Sequence, residues 1–168
     1  DPTSWMVYGL GERAQSKDTI YQFHELEVSE SAKFICAGMD FGFSNDPTAL
    51  VEIWQDGDSL FFRELLYRTG MTNQDISNFL KNHGYDRRTP IYADSAEPKS
   101  IEEIYRSGWN IKPAPKGKDS VNAGIQLLKT FKLHATPESH NVIKEFRNYK
   151  WERDKNGRNL NKPRHEYS

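Results

Sequence analysis

Two carboxylates stand where short apolar runs stop. Asp40 closes the stretch that begins with Phe34, Ile35, Cys36 and Ala37, and Asp94 follows Ile91-Tyr92-Ala93. Both runs read as strands, so each acid is expected at or near a strand end, held rigidly beside a cavity. A third acid, Asp46, follows Gly42 in a polar turn, where glycine lets the backbone reverse sharply and Asp46-Pro47 marks the turn's end. In a mixed sheet the two acid-bearing strands can lie side by side. Clustered carboxylates raise one another's pKa unless a cation shares the site. Hydrated Mg²⁺ needs one or two fixed oxygens of this kind. Two ions roughly 3.5–4 Å apart in such a cluster would suit phosphodiester hydrolysis. The competing structural reading has Asp40 capping a turn and Asp46 closing an Asx-turn ahead of Pro47.

The elements that must position these acids follow from the surrounding pattern. Residues 34–41, 48–55 and 59–68 read as three successive strands, with Asp56-Gly57 as the hairpin signal between the second and third. Short turns favour antiparallel pairing among them. Thr72 opens a helix whose apolar face is Ile76, Phe79, Leu80 and His83, and Gly84 ends it. His83 reads as a partly buried helix-end residue. Pro90–Ala93 is a short strand, and Pro98 suits the first turn of the next helix, which carries Ile101, Ile104 and Tyr105. Trp109-Asn110-Ile111 reads as a further strand. Strand, helix, strand, helix after a hairpin set implies parallel crossovers.

The basic residues fall on loops. Lys116 and Lys118 flank a glycine in Lys112–Ser120, a loop that would suit phosphate contacts or simply a solvated surface. It is not a Walker A motif, which needs GxxxxGK[ST]. A helix through Val121, Ile125 and Leu128 follows, then one from Ser139 to Tyr149. Asn156-Gly157 sets a hairpin between flanks that carry Lys150, Arg153, Lys155 and Arg158, a polar, protruding ribbon. Residues 1–33 are expected to form an arm or linker, with Trp5–Gly11 and Ile20–Phe23 as candidate short strands.

The totals set the frame. At 168 residues the chain is long enough for a core, and 12% aromatic residues argue for a folded domain. The 23 basic and 24 acidic side chains balance to −1, which argues against a histone-like electrostatic binder and leaves room for a local basic groove. Cys36, the single cysteine, reads as a buried thiol and cannot form an internal disulfide. No apolar run approaches the ~20 residues of a membrane span.

Four phrases in this order resemble the C-terminal nuclease domain of the bacteriophage terminase large subunit. They are Tyr8-Gly9-Leu10-Gly11-Glu12, then Gly38–Gly42 with Asp46-Pro47-Thr48-Ala49, then Ala93–Pro98, and then Pro115–Ser120. The resemblance runs from about residue 4 to 163. It implies an α/β fold of the ribonuclease H-like type: a mixed sheet flanked by helices, here with an auxiliary C-terminal β-hairpin. It implies a metal-dependent endonuclease that cuts concatemeric double-stranded DNA, using Mg²⁺ or Mn²⁺, two ions in the expected mechanism. Asp40 and Asp94 take the family's first and second metal-binding positions, and Asp46 that of an assisting acid found in some members. Lys116, Lys118, Lys150, Arg153, Lys155 and Arg158 are the expected contacts to the DNA backbone. The implied partners are DNA, an ATPase domain preceding residues 1–33 in the same polypeptide, the portal and the small terminase subunit. The implied setting is the host cell cytoplasm.

One departure stands out. The family's third acid lies on a helix after the hairpin, in a phrase resembling Asn-His-x-x-Asp-Ala, and none follows Asn161–Ser168. His165 and Glu166 fall in the lead-in and are not assigned as ligands. The nuclease domain over 34–168 is therefore expected to be truncated and weak by itself. Alternatives are another ribonuclease H-like nuclease, such as a resolvase or transposase core, or a non-catalytic DNA-binding or motor-docking domain.

Overall fold

The computed structural model describes residues 19–42, 45–115, 125–153, 155–156 and 158–163. Strands β1 (Phe23–Glu25), β2 (Lys33–Asp40), β3 (Pro47–Asp56), β4 (Ser59–Thr69), β5 (Ile91–Ala93), β6 (Ile111–Pro113) and β7 (Lys132–Ala135) form one sheet. Its order is β1-β7-β4-β3-β2-β5-β6. The centre is the antiparallel meander β2-β3-β4, and every strand added outside it runs parallel to its neighbour. Gly57, at φ +59°, makes the two-residue turn that joins β3 to β4. Strands β8 (Trp151–Arg153) and β9 (Asn159–Pro163) pair as a separate hairpin.

Alternation along the strands gives the sheet two apolar faces. Leu50 and Leu66 point to one, where they meet Ile76 and Leu80 of helix α1 (Asn73–Asn82) and Ile101 and Ile104 of α2 (Pro98–Arg106). Leu60, Phe62, Val51 and Ile53 point to the other, against Ile143 and Phe146 of α3 (His140–Asn148) and Ile125 of the helical residues 125–128. The sheet is thus the middle of three layers, covered on both faces as its parallel strands require.

The helices start and stop for local reasons. Thr72 caps α1 through a reciprocal box with Asp75: Asp75 N–H donates to Thr72 Oγ1 at 3.0 Å and Thr72 N–H to Asp75 Oδ2 at 2.9 Å. These bonds hold the Asp75 carboxyl below its usual range. Gly84, at φ +71°, lets the chain leave α1 in a left-handed turn. Ser139 is the N-cap of α3 but makes no side-chain cap bond. Glu64 on β4 supplies it instead: Oε1 accepts from the N–H of Asn141 at 3.0 Å and of Val142 at 3.1 Å, and Oε2 accepts from Asn141 Nδ2 at 2.8 Å. Ser139 returns the contact, its Oγ accepting from Glu64 N–H at 2.8 Å and bonding Thr136 Oγ1 at 2.6 Å.

A buried acid ties the opposite face of the sheet. Glu52 Oε1 accepts from Arg63 at 2.9 Å and 3.1 Å, and Oε2 accepts from Tyr85 at 2.9 Å. Arg63 also lies over Trp54, 5.0 Å from the ring centre. At the β1 edge, residues 19–21 meet residues 149–150. Thr19 bridges Lys150, Ile20 N–H donates to Tyr149 O at 2.9 Å, and the rings of Tyr21 and Tyr149 stack at 5.7 Å.

Several expectations shift. The candidate strand at Ile20–Phe23 lies slightly later, at Phe23–Glu25. The strand expected at Trp109 begins at Ile111. Strand β7 was not expected at all. Tyr105 is 59% exposed, because the buried stripe of α2 runs through Ser100, Ile101 and Ile104 and leaves Tyr105 at its margin. Leu127 is 62% exposed. His83 is exposed and stacks on Phe79 at 5.5 Å. Cys36 is half-buried, and burial raises its thiol pKa. Residues 1–18, including the Tyr8–Glu12 phrase, the loop 116–120 with the start of its following helix, and residues 164–168 lie outside the described residues.

Candidate active site

The acid-bearing strands are neighbours. β2 and β5 run parallel, with Met39 opposite Ala93, so the next residue of each, Asp40 and Asp94, emerges at the same carboxyl end of the sheet. In open α/β sheets, ligands bind at the carboxyl ends of the strands, where loops leave a crevice. Met39 packs into the core under α1 and α2, so by alternation Asp40 leaves the sheet on the side of α3.

The reversal after β2 brings the third acid in. Gly42 is buried, and its N–H donates to Thr48 Oγ1 at 3.1 Å. A Cβ on Gly42 would fall on the carbonyl oxygen of Asp46 and the backbone of Pro47. The turn closes only around a residue with no side chain. Gly42→Ala is therefore expected to cost about 2 kcal/mol, the typical penalty of overpacking a tight site. That is a fall of roughly 4–8 °C in melting temperature for a domain of this size. A variant melting with the parent would mean that the turn yields without cost.

The electrostatics follow from this convergence. Asp40 keeps an exposed edge, yet its surroundings strip enough water from the carboxyl to raise its pKa, and the charges of Asp94 and then Asp46 raise it further. Asp94 Oδ1 accepts from Ala96 N–H at 3.0 Å, and Glu97 N–H donates to Asp94 O at 3.1 Å. This turn fixes the Asp94 carboxylate just before Pro98 opens α2. Three hard oxygen donors of one charge suit Mg²⁺ or Mn²⁺ and not a thiophilic metal. Among the described residues, no three His, Cys, Asp or Glu side chains are already drawn together at metal-ligand spacing.

Of the expected basic contacts, those described lie on or beside the C-terminal hairpin. Lys116 and Lys118 lie outside the described residues. Lys150 is half-buried at the bridge to Thr19. Arg153 ends β8, and Lys155 and Arg158 are exposed on the hairpin. Two supporting residues have little signal in the sequence: Thr48 stands directly after Asp46-Pro47 and is not expected to bond Gly42, and Glu64 carries none.

The chain is similar to known proteins in sequence and in fold. A family described as "Terminase RNAseH like domain" matches residues 40–167. The chain is 31% identical to the terminase large subunit of Bacillus phage SPP1 over 153 residues, 82% of this chain and 36% of that protein. It is 32% identical to the PBSX phage terminase large subunit of Bacillus subtilis (strain 168) over 147 residues, 81% of this chain and 34% of that protein. The chain thus spans about a third of the length of these curated relatives. Among solved structures, the large terminase nuclease domain of bacteriophage SPP1 with bound Mn superposes with a TM-score of 0.70 at 26% identity, covering 86% of this chain and 87% of that one.

Proposed function

Since the chain belongs to the terminase RNase H-like domain family, we propose that it is a divalent-metal-dependent endonuclease domain that cuts concatemeric double-stranded viral DNA. The observation that carries the reading is the emergence of Asp40 and Asp94 side by side from parallel strands, with Asp46 near enough to add its charge. When bound, Mg²⁺ or Mn²⁺, two ions in the full mechanism, supplies Lewis acidity toward the phosphodiester.

The chain's own residues do the rest. Asp40, at the end of the rigid β2, anchors the cation. Asp94 meets it with a carboxylate oriented by the Ala96 N–H. Asp46 assists from the turn, toward a second ion. An acid from a helix after the hairpin would complete the ligand set. Lys116, Lys118, Lys150, Arg153, Lys155 and Arg158 hold the DNA backbone, which orients the duplex and carries no sequence information. An ATPase domain of the same polypeptide, the portal and the small terminase subunit are the further partners, in the host cytoplasm.

Nicking of supercoiled plasmid tests this directly. Weak cleavage is expected from this chain with Mn²⁺ or Mg²⁺, none in chelator, and none from Asp94→Asn with either ion. DNA binding without cleavage under any divalent ion, by a chain extended through the following helix, would overturn the enzyme reading.

A further inference from the structure

We propose that Thr48 is a positioning residue for the acid site: its hydroxyl, bonded to the Gly42 amide, latches the turn that keeps Asp46 within electrostatic reach of Asp40. The inference rests on the metal-dependent reading above and adds to it the device that sets the geometry. Asp46 is exposed and precedes β3, and an exposed turn carboxylate would otherwise sample many positions. The latch spans the reversal. Gly42 lies two residues beyond Asp40 and Thr48 two residues beyond Asp46, so one hydrogen bond of 3.1 Å joins the two acid-bearing segments just past each acid.

Both partners are fixed. Thr48 is 1% exposed and pairs with Arg68 in the sheet, and its neighbour Ala49 pairs with Asp40. The other side of the turn is closed by the contact of Gly42 with the Asp46 and Pro47 backbone. A valine keeps the shape of threonine and removes the acceptor, leaving a buried N–H without its bond. The turn would then open toward solvent, carrying Asp46 away from Asp40. Outer residues that orient metal ligands typically govern affinity 10–100-fold.

The experiment measures Mn²⁺ binding by calorimetry and electron paramagnetic resonance, with melting in chelator recorded alongside. The parent is expected to bind, Thr48→Val to bind about 10–100-fold more weakly, and Thr48→Ser to recover the parent affinity. Equal Mn²⁺ affinity in the parent and Thr48→Val, even with a lower melting temperature, would overturn the latch and leave the metal site standing. A parent that binds no Mn²⁺, even when extended through the helix after the hairpin, would overturn the metal reading and the latch with it. Should Thr48→Val not fold, hydrogen exchange at the Gly42 amide of the parent decides. Protection supports the latch, and exchange at the rate of an open loop overturns it.

Discussion

Asp40→Asn is expected to reduce metal-dependent DNA cleavage by more than about 100-fold, since losing even an outer partner of a metal ligand typically costs 10–100-fold. The same substitution should make the metal-free protein more stable. The folded-state pKa of Asp40 lies above its ordinary 3.8, raised by desolvation and then by Asp94 and Asp46. A group with a raised folded pKa gives its full stability below the unfolded pKa and loses it as pH rises through the folded one. At neutral pH in chelator the parent therefore carries a penalty that asparagine does not. Asp40→Asn should melt above the parent there, and the gap should close as pH falls toward 3.8. Adding Mn²⁺ should reverse the order by stabilising the parent alone. An asparagine variant that melts lower than the parent in chelator, or cleaves plasmid at the parent rate, would remove Asp40 from the site.

Glu64→Ala carries the largest expected loss of stability. One carboxylate takes two backbone N–H groups and a side-chain amide at the start of α3, and donors at a helix N-terminus favour a negative charge. Ser139, fully buried, cannot take over, because its hydroxyl is committed to Glu64 N–H and Thr136. Truncation is expected to cost about 3 kcal/mol, given that bonds to charged groups are each worth roughly 1.5–3 kcal/mol. That is a fall of roughly 6–12 °C. Glu64→Gln should lose less, since it keeps one oxygen acceptor. Chemical denaturation reads the difference, and a loss within about 0.5 kcal/mol, the range of ordinary surface substitutions, would show α3 to be held by its apolar face alone.

The acids were legible because their signal is local. An apolar run that ends in a carboxylate needs no distant partner to be read, and the same holds for Asp56-Gly57 and for Thr72 ahead of α1. Strand β7 was not legible. It is four residues, Lys-Leu-His-Ala, and three of them are buried between β4 and β1, so it shows neither alternation nor a long apolar run. The burial of His134, whose pKa is lowered chiefly by desolvation, is a fact of the assembled sheet. Glu64 was illegible for the same reason: its partners lie 77 and 78 positions away. Thr48 fell between these cases. Its partner is six positions off, but a threonine opening a strand is too common to announce a latch.

The meeting of Thr19 with Lys150 decides how the domain would bear mechanical load. The bridge is antiparallel, so the N-terminal side of Thr19 and the C-terminal side of Lys150 face the same way. Tension between them pulls across the bridge and opens it one bond at a time. The three-residue edge strand β1 would peel next. Until β1 has peeled the line of force stays outside the meander, and the β2–β5 pair lies across β7, β4 and β3 from the loaded edge. Local opening at an edge costs far less than unfolding the core. The Asp40–Asp94 pair would therefore hold its spacing while the entry corner is under strain.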